Sequence, residues 1–320
     1  MTNSTVSSAP DTSAVAATGI GPNGAPDASD GRGGASAPRR RRRRSLLDLG
    51  MTVWAVLVFL FLFAPILVII VYSFNTGRLL IAWDSFGIDP YLTIFTKPAI
   101  QESVMVSLRT GVIAALVATL LGTLAGIALA RRPGKWMFWF VGLLLLVSVT
   151  PEIVDAVALL PWLVFLGQDL GIGIFNDGTV RLVIGHSLFA TAVVTYIVRA
   201  RLVGLDEQLE EASADLYATP FTTFRRVTMP LAMPAVLAGA LLSFTLSLDN
   251  TIVASFVQVS GSTPWPVYVL SALRSGLRPE IAAVSTLMLL LTLGALALVA
   301  YVLRRAGDSA TQIARTMAGG

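Results

Sequence analysis

The chain has 320 residues, of which 55% are hydrophobic and only 13% are charged, with a formal net charge of +4 and no cysteine. Soluble domains are about 45–50% apolar and about 25% charged, so this composition excludes a water-soluble enzyme or a soluble nucleic-acid-binding protein. The absence of cysteine also excludes a secreted disulfide scaffold.

The N-terminal residues predict a disordered cytoplasmic tail, 1–45, that ends in the six arginines Arg39 to Arg44. Residues 1–38 lack hydrophobic periodicity and cannot bury enough apolar surface to offset the entropy of ordering. The apolar stretch that follows is longer than the signal-peptide core of roughly 7–15 residues, and no small-residue cleavage site follows it. We therefore expect it to remain as a membrane anchor.

Six stretches are long and apolar enough to cross a bilayer, which needs about 20 helical residues. They predict an all-α polytopic membrane protein with a transmembrane domain over 51–305 and a cytoplasmic tail over 306–320. The third stretch is too long for one straight crossing, and Pro151 and Pro161 interrupt it, so we expect a bent helix. The predicted spans are 51–74, 103–130, 136–166, 180–200, 231–259 and 281–303.

Lysine and arginine are distributed unequally between the two sides of this domain, and their excess marks the cytoplasmic side. Six crossings return the chain to its starting side, so both termini are expected in the cytoplasm. No internal repeat is evident, which disfavours an inverted-repeat secondary transporter. The richer side carries the arginine run, Arg131, Arg132, Lys135, Arg199, Arg201, Arg225, Arg226, Arg304 and Arg305; the poorer side carries Arg78, Lys97, Arg274 and Arg278.

The segment 201–230, between the fourth and fifth spans, is charged and long for a simple connection. Leu205, Leu209, Ala212 and Leu216 recur at helical spacing and predict a helix with an apolar stripe. Its acidic residues form a second row of like charges, at Glu207, Glu211 and Asp215. The pattern is compatible with a solvated amphipathic loop or with a docking element for a soluble partner.

A second short helix is expected after Pro220 in the same segment. It would carry Phe221 and Phe224, expose Arg225, and end at Pro230 before the fifth span.

The residues of this segment resemble the EAA loop of ABC importer permeases. In that family the loop folds as a short helix pair and seats in a cleft of the cytosolic ATPase. The family pattern has glycine where this chain has Tyr217, and glycine adopts the positive φ of the turn more easily than tyrosine does. The matching residues are Glu211-Ala212-Ser213, Asp215-Leu216, Ala218, Phe224, Arg225-Arg226-Val227 and Met229-Pro230; the resemblance implies ATPase coupling through Glu207, Glu210, Glu211, Ala212, Asp215, Leu216, Tyr217, Phe224, Arg225 and Pro230.

Two further segments, 243–257 and 276–280, are similar to the PotC-type permeases of spermidine/putrescine importers. The resemblance implies a type I ABC importer transmembrane domain that pairs with a second homologous permease, a cytosolic ATPase dimer and an extracytoplasmic binding protein. This chain has no P-loop, so ATP and magnesium would bind the ATPase and this chain would be a non-catalytic subunit without a cofactor of its own. Permeases for ferric iron, thiamine or anions share the scaffold and stay open as alternatives.

Three acidic residues within the predicted spans are candidates for the substrate path, because a carboxylate at a helix centre costs on the order of 2.5–3.5 kcal/mol unless it faces a cavity or a partner. Glu152 and Asp155 lie one turn apart after Pro151, and Asp249 follows several polar residues in the fifth span. A polyamine needs carboxylates for its amines and aromatic faces for its methylenes. The candidate set is Glu152, Asp155, Asp249, Asn250, Ser247 and Trp162.

Other interpretations of these acids remain. They could form structural polar contacts between helices, or relay protons in an ion-coupled secondary transporter. The single histidine, His186, has no partner at metal-ligand spacing, so no metal site is predicted.

Overall fold

A computed structural model describes residues 46–131, 134–205 and 208–305. Within them the regular secondary structure is helical, apart from an isolated bridge between Asn75 and Phe86. The predicted all-α fold is confirmed. The predicted tails, 1–45 with its arginine run and 306–320, lie outside the described residues.

The chain divides into two compact units, 1–56 and 57–320. Of the first unit, the structure describes the beginning of helix α1, and every contact discussed below lies within the second. The helices are α1 (Leu46–Tyr72), α2 (Asp89–Ile94), α3 (Pro98–Arg131), α4 (Lys135–Val149), α5 (Glu152–Val164), α6 (Gly178–Val203), α7 (Gln208–Asp215), α8 (Pro220–Thr223), α9 (Met229–Asp249), α10 (Ile252–Val257), α11 (Trp265–Ser275) and α12 (Pro279–Arg305).

Among the described residues, five helices are long and apolar enough to cross a membrane, and a bent pair brings the number to as many as six. The five are Leu49–Tyr72, Pro98–Arg131, Gly178–Val203, Pro220–Asp249 and Pro279–Val302.

The bent pair consists of α4 and α5, and the chain bends by 105° between them. The bend lies at Pro151, which ends α4 because the residue before a proline avoids the helical conformation; Thr150 is extended there. Pro161 lies inside α5 without breaking it, and a π-helical turn, Phe165–Asp169, follows.

The centre of the second unit is formed by α3, α6 and α9. Gly122 and Gly126 of α3 lie against α6, where an added Cβ would come within 2.9 Å of the carbonyl oxygens of Thr191 and Thr195. Two glycines four residues apart on one helix let the backbones approach closely, as in other membrane helix pairs. Val194 of α6 fills the adjoining space and is fully buried.

The helix that includes most of the predicted fifth span, 231–259, has different bounds. The helix begins at Pro220 and runs on through a π-helical turn, Phe224–Thr228, so Pro230 does not stop it. The wide turn relieves the clash that the proline ring would make with the preceding turn. The helix then ends at Asp249, and the short helix α10 follows; α11, Trp265–Ser275, is a further helix that the sequence did not predict.

Candidate functional site

The segment between α6 and α9 folds as a pair of short helices, which we call the coupling loop (residues 205–230). Helix α7 ends in a Schellman turn, in which the N–H of Tyr217 donates to the carbonyl of Ala214 (2.9 Å) and that of Ala218 to Ser213 (3.2 Å). Tyr217 adopts a φ of 59° and is the one non-glycine residue with a positive φ in the described part of the chain. Tyr217 therefore adopts the positive φ that we expected of glycine at this position, at a cost of roughly 1–2 kcal/mol.

The second helix of the coupling loop is capped locally. The N–H of Thr222 donates to the hydroxyl oxygen of Thr219 at 3.3 Å, and Pro220 occupies the first turn, where its missing N–H costs nothing. The hydroxyls of Ser213 and Thr223 lie 2.9 Å apart and connect the two helices.

Glu210 lies on the inner side of the coupling loop. Its Oε1 accepts hydrogen bonds from Nε of Arg131 at 3.0 Å and from the hydroxyl of Thr228 at 2.9 Å. Arg131 ends α3 and Thr228 leads into α9, so this one carboxylate joins the coupling loop to two long helices. The structure therefore turns Glu210 towards the membrane helices, in contrast to the neighbouring Glu211.

The outer side of the coupling loop is uncovered. The side chains of Leu216 and Tyr217 are 82% and 96% exposed, whereas Leu205 packs against the α6–α9 cluster. The carboxylates of Glu211 and Asp215 have no ion-pair partner in the described ranges. Of the other predicted coupling residues, Ala212, Arg225 and Pro230 are exposed, Phe224 is half-buried, and Glu207 lies outside the described residues.

A cavity of about 570 Å³ lies at the other end of the helix that continues from the coupling loop. It is bounded by α3, the last turns of α9, α11 and α12. Ser285, Met288 and Thr292 line it from α12 at helical spacing, so they share one face. The lining residues are Ser107, Thr245, Leu246, Leu248, Asp249, Thr251, Trp265, Pro266, Val269, Ser285, Met288, Leu289 and Thr292.

Asp249 gives this cavity its negative charge. It is the last residue of α9, where the carbonyl ends of the helix dipole already produce a negative potential. In the part of the chain that the structure describes, its carboxylate has neither a salt bridge nor a hydrogen-bond donor. Helix end and carboxylate therefore favour the same ligand, a cation.

Two neighbours of Asp249 in the sequence have structural contacts and do not line the cavity. The hydroxyl of the buried Ser247 lies 2.7 Å from Nδ1 of His186 and joins α9 to α6. The side-chain oxygen of Asn250 accepts the N–H of Val253 at 3.1 Å and caps the beginning of α10.

The other predicted substrate-path residues lie on α5, apart from this cavity. Glu152 is exposed and Asp155 is half-buried, both in the first turn of α5, where acidic side chains complement the helix dipole. Trp162 is exposed and stacks on Phe165, with ring centroids 5.9 Å apart.

Trp265 is the aromatic residue of the cavity that sequence reasoning missed. Its backbone N–H donates to the hydroxyl oxygen of Ser107 at 2.7 Å, and its ring stacks on Tyr268 at 5.5 Å. The prolines on either side of it, Pro264 and Pro266, could have predicted a helix beginning here, because proline is frequent in the first turn of a helix.

The comparisons with known proteins now decide the class of the chain. Residues 122–312 match the model of the family described as "Binding-protein-dependent transport system inner membrane component". The chain belongs to this family. It is therefore a membrane permease, and the alternative of an ion-coupled secondary transporter falls away.

The permease is also similar to individual bacterial proteins. It is 36% identical over 246 residues to the putrescine transport system permease protein PotI of Escherichia coli (strain K12), covering 76% of this chain and 85% of PotI. It is 36% identical over 236 residues to the spermidine/putrescine transport system permease protein PotC of the same strain, covering 74% of this chain and 87% of PotC. These relatives confirm the predicted resemblance and a non-catalytic transport subunit.

Solved structures show the same fold. A bacterial alginate ABC transporter, crystallised with an alginate-bound periplasmic protein, matches with a TM-score of 0.63 at 14% identity, over 83% of the permease and 96% of that chain. The MetNI methionine ABC transporter matches with a TM-score of 0.53 at 17% identity, over 66% of the permease and 99% of that chain. The transmembrane fold of an ABC importer is thereby confirmed.

Proposed function

We propose that this permease forms half of the translocation path of an ABC importer for polyamines. The observation that carries the proposal is Asp249, an unpaired carboxylate at the negative end of α9 in a cavity that is also lined by Trp265 and by several hydroxyl-bearing residues. Carboxylates replace the hydration of the amines, and the aromatic ring packs on the methylenes or forms a cation–π contact. The names of PotI and PotC, which specify putrescine and spermidine, support the same class of substrate.

Other members of the family transport other substrates, so the lining of the cavity has to distinguish a cationic substrate from an anionic one. A relative 30% identical over 191 residues is the molybdenum transport system permease protein ModB of Mycobacterium bovis. An anion would require cationic or amide groups, and the lining residues of the cavity include neither lysine nor arginine.

The coupling loop would be the contact for the cytosolic ATPase. Its outer side combines exposed apolar side chains with the unpaired acids Glu211 and Asp215, and its inner side is joined through Glu210 to α3 and α9. A movement of the ATPase would reach those helices directly. ATP and magnesium would bind that ATPase dimer, and this chain would carry no cofactor of its own.

We propose an orientation from the distribution of basic residues. The coupling loop and both termini would be cytoplasmic, and the cavity would lie towards the opposite face. A second homologous permease would close the open side of the path. Transport would then proceed by alternating access, with the coupling loop following the ATPase dimer.

An extracytoplasmic binding protein would dock on the face opposite the coupling loop. A cavity of about 500 Å³ there is lined by Arg78, Lys97, Arg278 and Glu280, and Lys97 is paired with Glu280. Arg78 and Arg278 are exposed and have no ion pair among the residues described. Because two unpaired arginines repel a polyamine, they suit an acidic surface of the binding protein instead.

Uptake of radiolabelled putrescine tests the proposal, in vesicles containing the complete transporter and its binding protein. Asp249→Asn should lower uptake by roughly 10- to 150-fold, since a charge-assisted contact is worth about 1.5–3 kcal/mol. Asp169→Asn, the same loss of charge at an exposed residue outside the cavity, should leave uptake near the wild-type level. Equal uptake by Asp249→Asn and the wild type would contradict the proposal.

A further inference from the structure

A second cavity, of about 470 Å³, lies between the beginning of α4 and the end of α6 and is separate from both regions described above. We call it the α4 groove; its lining is Gly134, Met137, Phe138, Val141, Gly142, Leu145 and Arg199. Six of these residues are apolar and the seventh is an arginine. An apolar groove with a single cationic group suits an amphiphilic anion.

Arg199 has an unmet hydrogen-bonding requirement in this groove. Its Nε is buried, with no hydrogen-bond partner among the described residues. Arginine keeps its charge in proteins, so a buried N–H of its guanidinium without an acceptor costs free energy that a bound anion would recover. The hydroxyl of Tyr196, three residues earlier and thus on the same side of α6, is likewise buried and unpartnered.

The position of the groove matches one leaflet of a membrane. It begins at Gly134, beside Lys135 and close in sequence to Arg131, at the end of the helices that our proposed orientation makes cytoplasmic. From Gly134 to Leu145 it follows α4 for about 16 Å, which is roughly half of a hydrocarbon core about 30 Å thick. Phe138 and Trp139, more than 70% exposed, provide aromatic side chains at its interfacial end.

We infer that the α4 groove binds an anionic phospholipid. The phosphate would accept hydrogen bonds from the guanidinium of Arg199, and an acyl chain would lie along Val141 and Leu145. Basic pockets between membrane helices on the cytoplasmic side commonly hold anionic headgroups. Because Arg199 lies in the last turns of α6, directly before the coupling loop, a bound lipid would hold the helix end from which that loop departs.

The groove can be filled without disturbing the core. An added Cβ at Gly142 would meet nothing within 4 Å, so Gly142→Phe places a ring in open space where an acyl chain would lie. Arg199→Gln removes the cation and keeps most of the side-chain volume. Arg304→Gln removes an exposed arginine elsewhere at the same end of the helices and serves as the matched control.

Native mass spectrometry of the purified transporter, released from nanodiscs containing equal amounts of phosphatidylglycerol and phosphatidylcholine, tests the inference. The wild type and Arg304→Gln should retain phosphatidylglycerol in preference to phosphatidylcholine. Arg199→Gln should lower this retention on the order of tenfold, and Gly142→Phe should lower it comparably. Elution of both variants at the wild-type volume in size-exclusion chromatography would show that they are folded.

Four results would overturn the inference. The first is equal retention of the two lipids by the wild type, and the second is undiminished retention in Arg199→Gln. The third is displacement of the lipid by millimolar inorganic phosphate, which would make the site one for free phosphate. The fourth is a cross-link from residue 142 to the second permease, which would make the groove a subunit interface. The lipid measurement needs no substrate, so its failure is distinguishable from failure of the polyamine proposal.

Discussion

The coupling loop and the cavity beside Asp249 lie at opposite ends of one continuous helix, Pro220–Asp249, yet they are built differently. The two short helices of the loop are shaped by caps, a Schellman turn and one hydroxyl pair between residues close in sequence. The cavity is lined by residues that lie as far apart in the chain as Ser107 and Thr292. A local motif therefore specifies the loop, whereas the cavity exists only when distant helices pack together.

This difference teaches which changes each region tolerates. The 30 residues from Pro220 to Asp249 make a helix about 45 Å long, which can carry displacement from one region to the other. Substitutions of the outer acids Glu211 and Asp215 should affect the contact with a partner. Substitutions in the cavity should affect transport of the substrate. Substitutions of Glu210 should affect the connection between the loop and the helices.

The largest effect is expected for charge reversal on the outer side of the coupling loop. Glu211→Lys should abolish uptake and leave the fold intact, because Glu211 is exposed and has no ion-pair partner among the described residues. An uptake assay measures the loss of transport, and co-purification of the ATPase measures the loss of docking. Arg304→Glu, a charge reversal elsewhere at this end, is the control, and normal uptake in Glu211→Lys would remove the docking role.

The adjacent carboxylate should behave in the opposite way. Glu210→Ala should lower the free energy of unfolding by about 2 kcal/mol, because it removes the acceptor of Arg131 and Thr228 in a partly buried site. Thermal unfolding of the purified permease complex measures this loss, and Glu211→Ala is the matched control. If the two variants unfold at the same temperature, Glu210 does not join the loop to the helices as described.

A smaller effect is expected next to the cavity, at Asn250. Asn250→Ala should lower stability by about 1 kcal/mol, because it removes the cap that accepts N–H groups at the beginning of α10. Uptake should fall far less than in Asp249→Asn, since Asn250 does not line the cavity. A loss of uptake in Asn250→Ala as large as in Asp249→Asn would place Asn250 in the substrate path after all.

The smallest effect is expected at Tyr217. Tyr217→Gly should raise stability by less than about 1 kcal/mol, because relief of the positive φ is partly offset by the greater freedom of glycine in the unfolded chain. Tyr217→Phe retains the strained conformation and should leave the unfolding temperature unchanged. Destabilisation by glycine at this position would show that the tyrosine ring makes a stabilising contact.

Local sequence was informative wherever local physics decides the structure. Pro151 marked the bend between α4 and α5, because a proline constrains the residue before it. Pro230 was misleading, because it was predicted to end a helix that in fact continues. A π-helical turn before it accommodates the proline ring, and such a turn depends on contacts with neighbouring helices. The sequence also did not predict that α9 ends at Asp249, because that end likewise depends on how the helices pack.

The sequence alone determined the all-helical membrane fold, the coupling loop and the acidic residues worth testing, because apolar length, charge and a contiguous motif are local properties. The tertiary structure alone decided that Asp249 shares a cavity with Trp265, that Glu210 faces inward while Glu211 faces outward, and that Arg199 borders an apolar groove. These are relations between helices distant in the chain. They are set by how the helices pack, which no single stretch of residues encodes.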